Sequence, residues 1–384
     1  MKSIINPQLK FLFFSACFCS HSIITQAAEF PAGWPWRGIT IDVFGGSNDP
    51  SVVPKLAKMG VNSIELVLSV RNVAKYQNKS PTTAWNDSLA WADSMLDACK
   101  ANGIVGVVTF VQIPTDPSLN LDQASPEVWN TSSLLSEAVT RSGELADHFK
   151  NRGTELGAYE ILNEPIVHTS TGQYFPTNYP ALMQQVITEI RSKDPKRWIV
   201  VTAGIGGEAS QYQNFKPLNQ PRIIYGAHVY NAHPYTHQGI YNNPLNVVWP
   251  GMINGTYWDK SQLTKQIQPL ITFKNTYNVP VWIGEFSAIN WAPGADTYLK
   301  DAVSVFNQNG FGWMYFSLNG YHGWNPDYDT AYTTDADAKY HYIGDSSARW
   351  ATLKQIFAGA QTAPQTSNQV IKSINLKMKK NLAY

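Results

Sequence analysis

Residues 157–165 have the sequence GAYEILNEP, an apolar and aromatic run that ends abruptly in an amide, a carboxylate and a proline. A short apolar run of this kind is typical of a buried β-strand. Pro165 has no N–H group to donate to a strand ladder, so the strand must end here. The stretch therefore predicts a core strand whose last residues, Asn163 and Glu164, lie at the edge of a sheet.

Seven more stretches of similar character lie along the chain, and helix-like segments separate them. They cover residues 38–44, 62–69, 104–112, 198–204, 223–230, 279–287 and 312–319. Eight strands that alternate with helices predict an α/β protein, a single-domain (β/α)8 TIM barrel, rather than a doubly wound sheet. In agreement, FGGSND at 44–49 lacks the glycine spacing of a dinucleotide-binding turn.

The two ends of the chain differ from this region in composition. Residues 1–27 combine Lys2 and Lys10 with an apolar run and small residues, which predicts a signal peptide cleaved near Ala27. We therefore expect secretion, either extracellular or periplasmic. Residues 28–360 form the predicted barrel domain, and residues 361–384 are predicted to be a flexible tail.

The charge balance argues against nucleic acid and membrane partners. The full chain carries a formal net charge of +1, and loss of two lysines with the signal peptide would leave about −1. Such a chain has no electrostatic attraction for nucleic acid or an acidic membrane. Aromatic residues make up 12% of the chain, with 13 Trp. Aromatic faces suit the C–H faces of sugars, although a well-filled aromatic core has the same composition.

Two glutamates stand at strand ends, where a barrel of this kind places its catalytic groups. Glu164 ends the fourth strand candidate, and Glu285 lies near the end of the seventh. Two carboxylates that converge from separate strands suit the hydrolysis of a glycosidic bond. Side chains alternate along a strand, so two sets are expected to face inward: Glu160, Leu162 and Glu164 on the fourth strand, and Val281, Ile283 and Glu285 on the seventh.

Motifs along most of the chain extend this pattern. YEILNEP at 159–165 and VWIGEFS at 281–287 occur together with WRGITI at 36–41, GVNSIELVLS at 60–69, HVY at 228–230 and GWMYFSLN at 312–319. As an ordered set they resemble glycoside hydrolase family 5, the cellulase and mannanase family of clan A. The resemblance implies a (β/α)8 barrel that works as a retaining β-glycosidase without a metal ion or other cofactor.

The resemblance also implies roles for individual residues. Glu164 is similar to the general acid/base of the family, and Glu285 to the nucleophile. Asn163 would hydrogen-bond the 2-hydroxyl of the sugar at the cleaved bond. Tyr230 would hydrogen-bond Glu285, and His228 would hold the acid/base or the substrate. This mechanism requires that Glu164 stays protonated near the working pH while Glu285 is ionised.

One departure from the family pattern concerns charge. Glu65 stands in the second strand where the family usually carries an arginine. A third carboxylate near Glu285 would oppose its ionisation. Arg37 or Arg71 would then have to supply the positive charge, unless Glu65 is paired lower in the barrel.

Two further departures concern the substrate. The third strand ends in Val111 and Gln112 instead of the usual histidine, and Phe316 replaces a tryptophan in the eighth. We expect Gln112, Phe316, Trp291 and Trp324 to contact substrate. Other loop aromatics could line subsites or equally well anchor loops; they are Trp249, Trp258 and Tyr321.

Two polar clusters could suggest metal ions. His233 and His237 are four residues apart but lack a visible third zinc ligand. The loop at 325–345 holds Asp327, Asp329, Asp335 and Asp337 without the glutamate and central glycine of a helical calcium loop. The sequence therefore favours a solvated loop and no metal site.

The sequence favours a secreted, monomeric endo-β-1,4-glucanase that acts on a β-linked polysaccharide or oligosaccharide. The nearest alternative is an endo-β-1,4-mannanase, and a further alternative is an exo-acting glycosidase or transglycosylase. Outside the enzymes, a catalytically impaired carbohydrate-binding barrel would explain the aromatic residues, but it would gain little from two converging carboxylates.

Overall fold

The computed structural model describes residues 29–43, 49–333 and 335–362. The predicted signal peptide lies outside these residues, as does all but the beginning of the predicted tail. Within the described part of the chain, no helix combines the length and the apolar character needed to cross a membrane.

Eight parallel strands close into a barrel in the order β1-β8-β7-β6-β5-β4-β3-β2. This confirms the predicted (β/α)8 fold, and each strand falls within a predicted segment or one residue outside it. The strands are β1 (Arg37–Asp42), β2 (Ser63–Leu68), β3 (Val105–Phe110), β4 (Leu156–Ile161), β5 (Trp198–Thr202), β6 (Ile223–His228), β7 (Val281–Phe286) and β8 (Gly312–Leu318).

Helices pack around the barrel. Their bounds are Val52–Met59, Val70–Tyr76, Pro81–Asn102, Pro126–Asn130, Ser132–Phe149, Tyr179–Lys193, His233–Thr236, Lys260–Gln266, Gln268–Tyr277, Ala295–Gln308, Asp335–Ala338 and Ala348–Thr362. Short 3-10 turns lie at Pro117–Leu119, Ile205–Gly207, Ala209–Gln213 and Gly344–Ser346, and hairpins at Val167–Thr169/Gly172–Tyr174 and Gly251–Ile253/Thr256–Trp258.

The helix Pro81–Asn102 shows how local sequence sets these bounds. The Ser80 side chain accepts a hydrogen bond from the N–H of Thr83, and proline occupies the first helical position. Gly103 ends the helix with a φ of 67°, a left-handed conformation that glycine adopts without strain. The buried face of this helix includes Cys99, which is a packed core residue.

Two layers of side chains fill the inside of the barrel. The lower layer is apolar and consists of Trp36, Val107, Ala158, Val200, Ile224, Trp282 and Met314. The upper layer is polar and lies two residues after the lower layer on β3, β4 and β5; it contains Thr40, Glu65, Thr109, Glu160 and Thr202. The polar layer therefore lies directly beneath the C-terminal edge of the barrel.

The predicted alternation was wrong at the ends of β4 and β7. Trp282 faces the inside of the barrel, whereas Ile283 packs in the outer core. The register shifts between Ile283 and Glu285, and this irregularity delivers Glu285 to the rim. On the other strand Leu162 has a φ of 58° and packs in the outer core, so Glu164 follows a left-handed turn instead of an inward-facing series.

Candidate active site

A cavity of about 800 Å³ lies over the C-terminal edge of the barrel. The predicted catalytic and binding residues that line it come from the ends of five strands: Gln112 after β3, Asn163 and Glu164 after β4, His228 and Tyr230 from β6, Glu285 from β7, and Phe316 and Trp324 from β8 or the loop after it. The fold thus brings together eight of the nine residues predicted to form the site.

Glu285 is held by two hydrogen-bond donors. The hydroxyl of Tyr230 donates to Oε2 at 2.9 Å, and the Asn163 amide donates to Oε1 at 2.9 Å. The Glu285 side chain is only 12% exposed. Both donors favour the ionised form of the carboxylate and fix the direction in which its free lone pairs point.

Glu164 occupies a different environment. Its side chain is 42% exposed, and its Oε1 lies 2.7 Å from Nδ1 of His228. The same nitrogen lies 3.8 Å from Oε1 of Glu285, so His228 stands between the two carboxylates. Gly284 makes room for this imidazole, because a Cβ at that position would come within 3.3 Å of Nε2.

His228 supplies the positive charge of the site. Burial alone would lower the pKa of His228, but the charge of Glu285 and the hydrogen bond to Glu164 outweigh burial and raise it to about 10. Burial raises the pKa of Glu285 to about 7, while the His228 charge and the Tyr230 hydrogen bond oppose the rise. Arg37 instead donates to the Ala360 carbonyl at the other end of the barrel.

Glu65 is paired lower in the barrel, in the polar layer. Its two oxygens accept hydrogen bonds from Thr40 at 2.6 Å and from Thr109 at 2.8 Å. The Thr109 hydroxyl also lies 3.4 Å from Glu160, which accepts from Thr202 at 2.8 Å. Burial raises the pKa of Glu65 to about 7. Burial and the neighbouring Glu65 charge together raise the pKa of Glu160 to about 8.

These two carboxyl groups predict a pH-dependent stability. Their pKa values rise on folding from an ordinary 4.5 to about 7 and about 8, so the folded protein binds more protons in that window. The contribution of these two groups to the free energy of unfolding is therefore fully present below their ordinary pKa of 4.5, and it is lost as the pH rises through 7 and 8. We expect Glu160→Gln to flatten this fall and to raise the Tm at pH 8 by at least about 2–4 °C.

Thermal unfolding at pH 5, 6.5 and 8 measures the effect. Glu137→Gln is the matched control, because Glu137 also accepts a threonine hydrogen bond but lies outside the barrel. Parallel curves of Tm against pH for wild type and Glu160→Gln would contradict the assignment of this pH dependence to Glu160.

The remaining aromatic candidates divide between cavity and core. Phe316 and Trp324 line the cavity with ring centroids 6.0 Å apart. Trp291 does not line it: its ring is 8% exposed, packs on Tyr332 and donates to the Gln238 carbonyl. Trp291 was predicted to contact substrate, but the structure places it outside the cavity wall, where it anchors the loop after β6. Trp249, Trp258 and Tyr321 are also absent from the cavity wall.

The suspected metal clusters have other partners. The rings of His233 and His237 stack at 4.0 Å, which points their nitrogens along parallel planes instead of toward a shared ion. Asp329 pairs with His341, and Asp327 accepts from Trp350. In the cavity, potential ligand atoms of Glu164, His228 and Glu285 lie within 4.8 Å of one another, but hydrogen bonds already engage all three residues.

Several cavity residues were not predicted as substrate contacts. His168 and Gln173 come from the hairpin after β4, Glu208 follows β5, and Tyr241 follows β6. Their positions after strand ends could have indicated that these residues lie at the C-terminal face of the barrel. Position alone does not show which way a side chain points.

The chain matches the family model described as cellulase (glycosyl hydrolase family 5) over residues 25–322. Endoglucanase H of Acetivibrio thermocellus is 25% identical over 39% of this chain and 15% of its own length. Endoglucanase C of the same organism is 24% identical over 38% of this chain and 48% of its own length. The chain thus spans less than half the length of these curated relatives.

Solved structures share the fold. One, described as a hyperthermophilic endo-β-1,4-glucanase in complex with substrate, superposes with a TM-score of 0.61 at 20% identity. The match covers 78% of this chain and 93% of that one. The common architecture therefore extends over nearly the whole of the solved barrel.

Proposed function

Since the chain belongs to glycosyl hydrolase family 5, we propose that it is a secreted, retaining endo-β-1,4-glucanase that works by double displacement. The observation that carries the mechanism is the approach of oxygens of Glu164 and Glu285 to within 4.8 Å. Retaining enzymes hold their two carboxyl groups about 5–5.5 Å apart, whereas inverting enzymes leave about 6.5–9.5 Å for a water molecule.

The two steps use the carboxyl groups in turn. Glu285 attacks the anomeric carbon while Glu164 donates its proton to the leaving oxygen, which gives a glycosyl ester on Glu285 and releases the chain end. Glu164, now ionised, then takes a proton from water. The resulting hydroxyl attacks the anomeric carbon, and the Glu285 carboxylate leaves.

The surroundings of each carboxyl group support this division of roles. Glu285 accepts hydrogen bonds from Tyr230 and Asn163 and lies near the His228 cation, all of which favour the ionised nucleophile. Glu164 is the more exposed of the two and can reach a leaving group or a water molecule. Formation of the ester removes the charge of Glu285, which eases the loss of a proton from Glu164.

The shape of the cavity supports a polymeric substrate. Its lining extends from Gln112 after β3 to Tyr241 after β6 and includes Phe316 and Trp324 together with both glutamates. Aromatic faces bind the C–H faces of sugar rings by apolar contact. We propose a β-linked glucan chain as the substrate, a monomer as the active form and no cofactor.

Hydrolysis of soluble β-1,4-glucan, mixed-linkage β-glucan and β-mannan tests the proposal. We expect release of β-gluco-oligosaccharides of several lengths, with the β-anomer appearing first in an early NMR time course. Appearance of the α-anomer first would exclude retention. Hydrolysis of mannan alone would replace the substrate, and release of a single short product from chain ends would indicate exo action. Binding without any product would favour the carbohydrate-binding barrel.

A further inference from the structure

The loop after β6 builds a wall of rings from the nucleophile to the cavity rim. Tyr230, which hydrogen-bonds Glu285, meets the ring of His237 edge-on at 4.9 Å. His233 stacks on His237 at 4.0 Å with an angle of 11° between the planes. Tyr241 lies 6.0 Å from His237 on the rim side. All four side chains line the cavity.

The hydrogen bonds of Thr236 favour one tautomer of His237. The Thr236 hydroxyl donates its one proton to the Tyr230 carbonyl at 2.8 Å. With that proton directed at the carbonyl, we assign the donor role to His237 Nδ1, which lies 2.9 Å from the same hydroxyl oxygen. Nε2 is consequently unprotonated, and His237 offers a hydrogen-bond acceptor to a ligand that carries hydroxyl donors.

The wall is uncharged. Burial and the stacked His233 together lower the pKa of His237 to about 3. Burial also lowers the pKa of His233, although the nearby Glu208 charge opposes this. Trp324 packs edge-on against His237 at 5.0 Å and adds no charge. Neutral rings with one acceptor suit an uncharged polyhydroxylated ligand better than an anion.

Tyr241 completes the wall at the rim. Its side chain is 75% exposed, and its backbone has a φ of 51°, a conformation that a bulky residue rarely adopts. The turn is held by hydrogen bonds from the N–H of Gly239 to the Asn243 carbonyl and from the N–H of Asn243 to the Ile240 carbonyl. The turn thus places the tyrosine ring in solvent at the mouth of the cavity.

We propose that Tyr241, His233 and His237 form a sugar subsite for a glucosyl unit beyond those at the cleaved bond. The inference rests on the proposed function for the identity of the sugar. The Tyr241 ring covers the C–H face of the unit, and Nε2 of His237 accepts a hydrogen bond from a sugar hydroxyl. His233 supports His237 and extends the apolar wall.

Calorimetric binding of cellohexaose and cellobiose to the Glu285→Gln protein tests the subsite. In that background, Tyr241→Ala is expected to weaken cellohexaose binding about threefold to tenfold, and Tyr241→Phe less than about twofold, because phenylalanine keeps the ring. The loss is expected to be larger for cellohexaose than for cellobiose. Tyr340→Ala is the control, since Tyr340 is 73% exposed and does not line the cavity.

The outcomes separate this inference from the proposed function. Equal weakening of both sugars, no weakening of either, or no binding of cellohexaose would overturn the subsite. Cellohexaose binding that weakens as expected in a protein whose wild type hydrolyses no glucan would retain the subsite and overturn the glucanase. In the protein that retains Glu285, Tyr241→Ala should lower the ratio of kcat/KM for cellohexaose to kcat/KM for an aryl cellobioside by a similar factor.

Discussion

Replacing Glu285 with glutamine is expected to lower kcat on a β-1,4-glucan by roughly 10⁴-fold or more, the scale on which loss of a covalent nucleophile acts. The amide oxygen can still accept the Tyr230 hydrogen bond, so the loop after β6 keeps its support. The neutral amide cannot form the glycosyl ester, and it removes the negative charge that lies 3.8 Å from Nδ1 of His228.

Glu164→Gln should differ in a diagnostic way. An aryl cellobioside with an acidic phenol needs little protonation of the leaving oxygen, so Glu164→Gln should still form the glycosyl ester on Glu285. Hydrolysis of that ester should stall, because the variant lacks the general base. Added azide needs no general base and should restore turnover of this variant with formation of the β-glycosyl azide. Azide should not rescue Glu285→Gln.

The control for both variants is Glu155→Gln. Glu155 is a buried carboxylate that immediately precedes β4, at the opposite end of the strand from Glu164. Its replacement should leave kcat within about twofold of wild type, since surface and remote changes act mainly on stability. Formation of the α-glycosyl azide by Glu164→Gln, or full activity of Glu285→Gln, would contradict the assignment of Glu164 as the acid/base and Glu285 as the nucleophile.

The strand pattern predicted the barrel because the strands of a closed sheet are buried on the inside and on the outside. Such strands appear in the sequence as apolar runs at regular intervals. The same pattern could not place the two glutamates by alternation. Glu285 reaches the rim through the register shift after Ile283, and Glu164 through the left-handed Leu162. Both are backbone irregularities that the alternation of side-chain types does not encode, so the sequence placed both glutamates at the C-terminal edge for a partly incorrect reason.

The partners of Glu65 could not be predicted, although the residue itself stood out in the sequence. Its hydrogen bonds come from Thr40 on β1 and Thr109 on β3. A threonine within a β-strand is common and gives no sign that its hydroxyl faces a carboxyl group on the neighbouring strand. The same limit applies to Trp291 and Trp324, since both follow strands and only packing decides which indole lines the cavity.

The second large effect is expected from His228→Asn. Asparagine can place its amide nitrogen near the position of the imidazole Nδ1 and can still donate to Glu164, but it carries no charge. We expect kcat/KM to fall about 10²–10³-fold near neutral pH, in the range seen when a group that stabilises charge at a reacting centre is removed.

The shape of the pH profile distinguishes a charge effect from simple disruption. Burial raises the pKa of Glu285 to about 7 even with the His228 cation beside it. Without that cation the pKa of Glu285 must rise further, by roughly 1–3 units for a partner at this distance. Since the nucleophile works only when ionised, the acid limb of kcat/KM should move to higher pH by about that amount, and part of the lost activity should return on the alkaline side.

His341→Asn provides the matched control. His341 also pairs with a carboxylate, Asp329, but lies outside the cavity. Its replacement should leave the acid limb in place. A uniform loss of kcat/KM at every pH in His228→Asn would mean that His228 acts only by shape. The arginine missing from the second strand would then have no electrostatic substitute in this cluster, and the ionisation of Glu285 would rest on the hydrogen bonds from Tyr230 and Asn163 alone.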